Sequence, residues 1–254
     1  MKLIRKIFIT TLASAGIRID KLTNSRIDSL LLIFIGYGSH IWISQYISFN
    51  VAIFYFVILF AIRYIFLFTG FGKKGFVNRL VTKFGEEKAW NKYELFTSIM
   101  FFQRGLSFGL LTQATKWSII PVVHFIFPSF NIDVIYLKYT CELIGLILII
   151  IGTWVNITAT FVIGIDTYYY KDLFLKRPLV DFKIEGPYKY FSNPMYGIGQ
   201  LNAYGAALIL GSVEGILGAL LNQVMMYIFY FVIEKPHIIQ NILPKKSKPA
   251  LSMA

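Results

Sequence analysis

The residues of this sequence that could do chemistry are concentrated in two polar stretches, Gly164–Gly199 and Glu234–His237. Three of their carboxylates, Asp172, Glu185 and Glu234, are candidates to accept a proton from an attacking group. The first stretch is also rich in tyrosine: Tyr168, Tyr169, Tyr170, Tyr188, Tyr190 and Tyr196. Tyrosine rings attract cations to their faces, although tyrosine is also common wherever a protein meets a membrane interface. A solvated loop without a chemical role has a similar composition, so spacing has to separate the two interpretations.

Proline and glycine punctuate the end of the first stretch, GPYKYFSNPMYGIG, residues 186–199. Asn193 followed by Pro194 is typical of a capped helix start. Free backbone N–H groups at such a start favour an anion or an electron-rich ligand edge. Gly197 and Gly199 leave backbone uncovered, either for a ligand or for a neighbouring helix that packs through small residues. If a ligand needs that space, Gly199→Leu is expected to leave stability near normal and abolish activity.

The composition indicates a membrane protein. Of 254 residues, 56% are hydrophobic and 17% are aromatic, and the mean hydropathy is +0.62, which is too apolar for a soluble domain. The formal net charge of +12 fits anionic lipid head groups better than nucleic acid, because the basic residues lie in loops beside long apolar runs. The single cysteine, Cys141, leaves no internal disulfide and no thiolate metal cluster to expect.

Seven stretches are candidates for membrane helices, because a crossing needs about 20 mostly apolar residues. Five reach that length: 28–47, 49–69, 94–112, 139–164 and 213–233. A sixth, 195–212, is shorter and would form a helical hairpin with the last. A seventh, 117–137, contains Pro121 and Pro128. The predicted fold class is all-α, a polytopic membrane helix bundle with about six transmembrane helices and a C-terminal helical hairpin.

The distribution of lysine and arginine predicts the topology, because these residues collect on the cytoplasmic side. The amino terminus, the loop after 49–69 and the tail are basic. The loop 165–193 lies on the same side of the membrane as these basic segments only if an even number of spans separates it from the loop after 49–69. This requires 117–137 to be a re-entrant or surface segment. Loop and tail then meet at one membrane face. We expect that face to be cytoplasmic, in a bacterial inner membrane or the endoplasmic reticulum.

A longer pattern in the carboxy-terminal half resembles a known family. The stretch DFKIEGPYKYFSNPMYGIGQLNAYGAALI, followed by an apolar helix and FVIEKPH, resembles the carboxy-terminal core of integral-membrane phospholipid N-methyltransferases. The wider group includes isoprenylcysteine carboxyl methyltransferases. The resemblance covers roughly residues 150–240, and TYYYKDLF, Thr167–Phe174, is similar to an aromatic and acidic stretch of the phosphatidylethanolamine enzymes. Residues 1–130 carry no resemblance of this kind.

The resemblance implies methyl transfer from S-adenosylmethionine to the head-group amine of a membrane phospholipid such as phosphatidylethanolamine. The cofactor would lie between the loop before the hairpin and the acid after the last helix. The positions that match the cofactor motif are Asn193, Pro194, Tyr196, Gly197, Gly199, Glu234 and His237. Two departures stand out: many relatives have His-Pro in place of Asn193-Pro194, and the phosphatidylethanolamine enzymes commonly have Glu-Glu in place of Glu234-Lys235.

The implied organisation has four parts. They are a basic amphipathic segment at 1–27, a transmembrane region at 28–138 that includes 117–137, a methyltransferase-like core at 139–240 and a basic tail at 241–254. The amino terminus, MKLIRKIFITTLASAG, imitates a cleavable secretory signal. Its two threonines and the basic residues that follow favour a helix lying on the membrane surface instead.

The implied reaction suits these residue types. Methyl transfer from a sulfonium to an amine is a direct displacement that needs no metal, and in-line positioning in a dry site can supply most of the acceleration. An amine must lose a proton before it attacks, and Glu185, Asp172 and Glu234 all stay open as the proton acceptor. Tyr188 is a further catalytic candidate.

Three residues are candidate contacts for the lipid substrate: Arg104, Tyr169 and Lys189. Arg104 falls within an apolar span, where a cation usually serves a partner or a polar cavity. It would pair with Glu142 or hold a lipid phosphate. Arg63 lies six residues from the end of its span at residue 69, so its side chain extends to the interface more easily.

Two other classes of function fit parts of the pattern. One is methylation of a carboxylate or thiol on an isoprenoid or other small hydrophobic substrate, or reduction of a lipid by a comparable helical hairpin. The other is a non-catalytic lipid-binding or transport protein, which lacks support because no repeated half or paired broken helices are visible. These classes can be separated by incubating the purified protein with labelled S-adenosylmethionine in mixed phospholipid micelles. The molecule that carries the label identifies the acceptor. The sequence leaves the oligomeric state open.

Overall fold

A computed structural model describes residues 2–21, 35, 39, 42–72, 75–129, 133–177 and 185–239. All regular elements in these ranges are helical, which confirms the predicted all-α fold class. Most of the predicted span 28–47 and the whole predicted tail 241–254 lie outside the described residues.

Ten α-helices lie in the described ranges, in the following order along the chain. They are α1 (Lys2–Ser14), α2 (Phe49–Phe71), α3 (Phe76–Phe84), α4 (Glu86–Ala114), α5 (Ile119–Ile126), α6 (Val134–Ile163), α7 (Ile165–Tyr168), α8 (Lys171–Phe174), α9 (Leu201–Ile209) and α10 (Val213–Phe229). A π-helical segment, Tyr230–Glu234, extends α10, and helical residues continue to Ile239. The 3₁₀ turns are Ile19–Lys21, Gly186–Lys189 and Ile198–Gln200.

Three helices of the described part of the chain are long and apolar enough to cross a membrane: α2, α6 and Val213–Ile239. Their outward faces carry large apolar side chains, such as Phe54, Ile150 and Leu217, which are 67%, 60% and 58% exposed. Such faces suit lipid, because each helix satisfies its own backbone hydrogen bonds. The chain is therefore membrane-embedded. Helix α4 contains the predicted span 94–112 but is not one of these three, so the count of about six spans stays a prediction.

The predicted helix at 195–212 is much shorter than expected. Helix α9 has nine residues and begins at Leu201, not behind Asn193 and Pro194. Residues 194–200 form turns and a 3₁₀ segment, because Gly197, with φ −87° and ψ −104°, lies outside the α-helical region. The prediction of a capped helix start at Asn193 and Pro194 is wrong.

Helix α9 is held by close packing against α6. A Cβ atom at Gly205 would lie 2.4 Å from the Gly145 carbonyl oxygen, and one at Gly152 would lie 2.3 Å from the Asn202 nitrogen. The two backbones therefore touch directly, as small residues permit in membrane helices. The hairpin turn is fixed from outside as well, since the Trp117 N–H donates to the Leu210 carbonyl over 2.8 Å and the Ile119 N–H donates to the Gly211 carbonyl over 2.9 Å.

A buried ion-pair cluster joins the amino-terminal segment to the rest of the fold. Arg18 is 4% exposed and its Nη1 lies 2.6 Å from Oε1 of Glu94, which is fully buried in α4. Arg18 Nη2 lies 2.7 Å from Asp20 Oδ2 and 3.0 Å from Oδ1 of Asp166, which is in α7. Burial alone would lower the pKa of Arg18, but the hydrogen bond to Asp20 and the charge of Glu94 raise it above its ordinary value. Arg18 therefore stays charged.

The same contacts correct the expected position of the amino terminus. Ile4 and Phe8 of α1 are 72% and 59% exposed, as a surface helix requires, but Thr10, Ala13 and Arg18 are buried. The segment is therefore partly built into the bundle and does not only lie on the membrane surface.

Arg18→Gln is expected to destabilise the protein strongly, because it removes the positive charge that lies next to the fully buried Glu94. Breaking one side of such a pair costs about 3–5 kcal/mol, which thermal unfolding in detergent would detect as a lower midpoint. The matched control is Arg79→Gln, since Arg79 is exposed on α3. Adding Glu94→Gln to Arg18→Gln should recover part of the loss. An unchanged midpoint in the single variant would contradict the structural role of the cluster.

Candidate functional site

Both polar stretches line one cavity, which we call the acidic cavity. It has a volume of about 330 Å³, and residues of the two stretches in its wall include Asp172, Tyr188, Asn193, Tyr196, Glu234 and His237. The loop before the hairpin and the end of the last helix therefore meet, as the sequence predicts. The volume lies in the range of small-molecule sites, about 300–1,000 Å³.

Glu234 is the best-defined acid of this cavity. It ends the π-helical segment Tyr230–Glu234, and such segments are frequent at functional sites. The Tyr196 hydroxyl donates a hydrogen bond to Glu234 Oε1 over 2.6 Å. One turn further, Nε2 of His237 lies 3.1 Å from the Arg177 carbonyl oxygen. These contacts fix the end of the helix against both parts of the loop.

Tyr170 and Tyr188 face the same acid. Burial and then the charge of Glu234 raise the pKa of both phenols above the ordinary value, so their hydroxyls stay protonated near neutral pH. Tyr170 has a left-handed backbone, with φ +68°, which is uncommon for a residue other than glycine. Its ring is fixed by Phe71 and Phe229, with ring centroids 6.0 Å and 5.5 Å away.

Asp172 is the second carboxylate of the acidic cavity. Its Oδ2 accepts a hydrogen bond from the Thr167 hydroxyl over 2.7 Å. Helix α8, which carries Asp172, is anchored by Phe174, a 1% exposed residue whose ring centroid lies 4.7 Å from that of Tyr93. Asp172 is thus held on the cavity wall by its hydrogen bond to Thr167 and by the packing of Phe174, two residues further along the chain.

Two further cavities adjoin the acidic one. The central cavity, about 270 Å³, shares a wall with it made of Tyr168, Tyr170, Met195 and Tyr196. The two-arginine cavity, about 300 Å³, shares Arg63, Arg104, Gly105 and Asn202 with the central cavity. The three cavities therefore form a series from the acids to the arginines.

Four of the predicted cofactor residues line the acidic cavity: Asn193, Tyr196, Glu234 and His237. Pro194 and Gly197 instead line a separate recess beside Tyr227. The N–H groups of Gly197 and Gly199 donate to the carbonyls of Asn193 and Pro194 over 3.1 Å and 2.8 Å. The prediction of free N–H groups at this point is therefore wrong.

The other predicted site residues are divided. Asp172 and Tyr188 line the acidic cavity, and Arg104 lines the other two. The remaining three, Glu185, Tyr169 and Lys189, line none of the three cavities. Glu185 and Lys189 are exposed. Tyr169 is fully buried and its hydroxyl donates to the Ala13 carbonyl over 2.6 Å; it holds the amino-terminal segment, and its assignment to the substrate stays a prediction.

Sequence reasoning missed the position of Arg63. Its side chain was expected to extend to the membrane interface, but Arg63 is 4% exposed and its Nη1 donates to Asn222 Oδ1 over 2.8 Å. The expected pairing of Arg104 with Glu142 is also absent among the described residues, where Glu142 is exposed on α6. Two arginines within apolar helices were the available signal, and only the fold shows that they share cavities.

The fold and the cavities define a membrane-embedded helical protein with a polar site where the last helix meets the preceding loop. The residues that build most of this site, 140–243, match the family model described as phospholipid methyltransferase. The match confirms the resemblance of the carboxy-terminal half to this family.

Similar proteins support the same family. Phosphatidylethanolamine N-methyltransferase 1 of Vanderwaltozyma polyspora is 30% identical over 45% of this chain and 14% of its own length. The phosphatidylethanolamine N-methyltransferase of Debaryomyces hansenii is 26% identical over 72% of this chain and 22% of its own length, and that of Candida tropicalis is 33% identical over 41% and 12%. The chain thus spans less than a quarter of each of these relatives. No solved structure matches it.

Gly199 is a packing position, which changes the expected effect of substituting it. A Cβ atom there would lie 2.5 Å from Asn156 Oδ1, and Asn156 Nδ2 donates to the Gly199 carbonyl over 2.7 Å. We expect Gly199→Ala to lower the thermal midpoint, since overpacking costs about 1–3 kcal/mol. Gly197→Ala should be milder, because the nearest atom to its Cβ would be the hydroxyl oxygen at the end of the Tyr227 side chain, at 3.0 Å. Equal midpoints for Gly199→Ala and the wild type would contradict this assignment.

Proposed function

We propose that the protein transfers a methyl group from S-adenosylmethionine to the head-group amine of a membrane phospholipid such as phosphatidylethanolamine. The observation that carries the proposal is the acidic cavity, where the tyrosines and acids of the family core come together. The relatives are named for this reaction. The finer location, an active site that faces the cytoplasm in a bacterial inner membrane or the endoplasmic reticulum, belongs to the same proposal.

The residues of the acidic cavity fit S-adenosylmethionine. When bound, the cofactor supplies an electrophilic methyl group on a positively charged sulfur. The rings of Tyr168, Tyr170 and Tyr196 offer faces that stabilise a cation. Glu234 would accept hydrogen bonds from the hydroxyl or amino groups of the cofactor, with Asn193 and His237 beside it. Pro194, Gly197 and Gly199, which line no part of this cavity, would act by shaping the turn that carries Tyr196.

The wall shared by the acidic and central cavities is the proposed site of transfer. A lipid amine in the central cavity would lie next to Tyr168, Tyr170 and Tyr196. The same three residues also line the acidic cavity. Methyl transfer would form a nitrogen–carbon bond and break a carbon–sulfur bond, whose electron pair would stay on sulfur. The amine proton has to leave before the attack. Asp172 is the proposed acceptor, because Glu185 is exposed and Glu234 is assigned to the cofactor.

The reaction can be tested directly in mixed micelles of purified protein, phospholipid and methyl-labelled S-adenosylmethionine. We expect the label in the head group of phosphatidylethanolamine. Label in a prenylated acid or thiol supplied instead would support the isoprenoid alternative, and no transfer to any acceptor would contradict the proposal.

Glu234→Gln is expected to weaken binding of S-adenosylmethionine about tenfold or more, because a charged hydrogen bond is lost. Calorimetry in detergent measures this change, and Glu87→Gln is the matched control, since Glu87 is exposed at the start of α4. Asp172→Asn should instead lower turnover at saturating cofactor and leave cofactor affinity unchanged. Normal affinity in Glu234→Gln would remove that residue from the cofactor site.

A further inference from the structure

Two arginines lie inside the bundle without an acidic partner in the part of the chain that the structure describes. Arg63 is buried in α2, and its guanidinium donates only to neutral atoms, Asn222 Oδ1 over 2.8 Å and Met226 Sδ over 3.3 Å. The side chain of Arg104 in α4 makes no hydrogen bond or ion pair with any described residue. Arg18 shows the contrast, since it meets Asp20, Glu94 and Asp166.

The two cations share their surroundings. Both line the central and the two-arginine cavities, and neither cavity has an aspartate or glutamate in its described wall. Charged residues within membrane helices are costly and are normally paired, and two like charges near each other add repulsion. An anion bound between Arg63 and Arg104 would remove both costs.

The surroundings of the arginines differ on their two sides. On one side the two-arginine cavity is walled by apolar residues, among them Phe56, Leu59, Phe60 and Ile149. On the other side the central cavity leads to the tyrosine wall of the acidic cavity. A ligand that fits this order has hydrocarbon, then a negative charge, then a polar group that reaches the tyrosines.

We propose that Arg63 and Arg104 bind the phosphate of the phospholipid whose amine is methylated. Its hydrocarbon begins in the two-arginine cavity, and its amine extends through the central cavity to Tyr168, Tyr170 and Tyr196. This proposal rests on the proposed function for the identity of the polar group. The phosphate site itself stands on two cations that have no acidic partner among the described residues. With this site, the protein would select its substrate by the lipid phosphate and not by the acyl chains alone.

Arg104→Gln is the primary test, because the Arg104 side chain has no hydrogen-bond or ion-pair partner to lose among the described residues. We expect the KM for phosphatidylethanolamine to rise tenfold or more, as loss of a charged hydrogen bond predicts, with little change in cofactor affinity.

Phosphatidic acid, which has the phosphate but no amine, should raise the thermal midpoint of the wild type in detergent and not that of Arg104→Gln. Diacylglycerol, which lacks the phosphate, should not distinguish the two proteins. Arg79→Gln is the matched control, and Arg104→Lys, which keeps the charge, should recover part of the binding.

Each contrary result has a distinct meaning. Weaker cofactor binding in Arg104→Gln with an unchanged KM would assign the arginines to the cofactor carboxylate and overturn the proposal. Inorganic phosphate that stabilises the wild type as well as phosphatidic acid does would reduce the site to one for a free anion, and would also overturn it. Equal stabilisation of both proteins by phosphatidic acid would do the same. If phosphatidic acid binds through Arg104 but no lipid is methylated, the proposed function fails and the phosphate site stands.

Discussion

The buried cluster around Arg18 is the interaction on which the site depends most. It binds three separate parts of the chain, the segment after α1, helix α4 and the start of the loop that carries Tyr168 and Tyr170. Because Glu94 is fully buried, the cluster is stable only when all three parts are in place. Lys171 strengthens the loop contact, with Nζ 2.7 Å from Asp166 Oδ2. A charged cluster of this kind fixes one arrangement of the loop, where apolar packing alone would tolerate several.

The second organising feature is the separation of charge along the three cavities. The acids Asp172 and Glu234 lie at one end and the arginines at the other, with tyrosines between them. Had Arg104 and an acid met directly, each would have neutralised the other and neither would be available to a ligand. Tyrosine suits the middle position, because burial raises the pKa of Tyr170 and keeps its ring and hydroxyl uncharged. A zwitterionic head group and a cationic cofactor would match that order of charges.

Backbone contact between α6 and α9 explains how a nine-residue helix can stay in the bundle. Helix α9 is too short to gain much from its own length, but glycines at 145, 152 and 205 let the two backbones touch. The residues freed from the helix, 194–200, form the turn that carries Met195 and Tyr196 to the cavity wall. Irregular backbone is tolerated at membrane depth where it is buried in protein or lines a cavity. The short helix and the polar site are therefore two results of the same packing.

The sequence by itself determined the class of the protein and the two segments that build the acidic cavity. Long apolar runs dictate membrane helices because an unpaired backbone cannot lie in lipid, and the Asn-Pro-Met-Tyr motif with the terminal acid indicates the family. Local patterns did not determine which side chains face inward. Asn193-Pro194 has a local preference for a helix start, yet the backbone of Gly197 lies outside the α-helical region and the helix begins only at Leu201. Tyr169 and Tyr170 are neighbours of the same type, yet one is buried against Ala13 and the other lines two cavities. Only the tertiary structure placed Arg63 beside the same cavities as Arg104, because the direction of a side chain depends on which distant helices surround it.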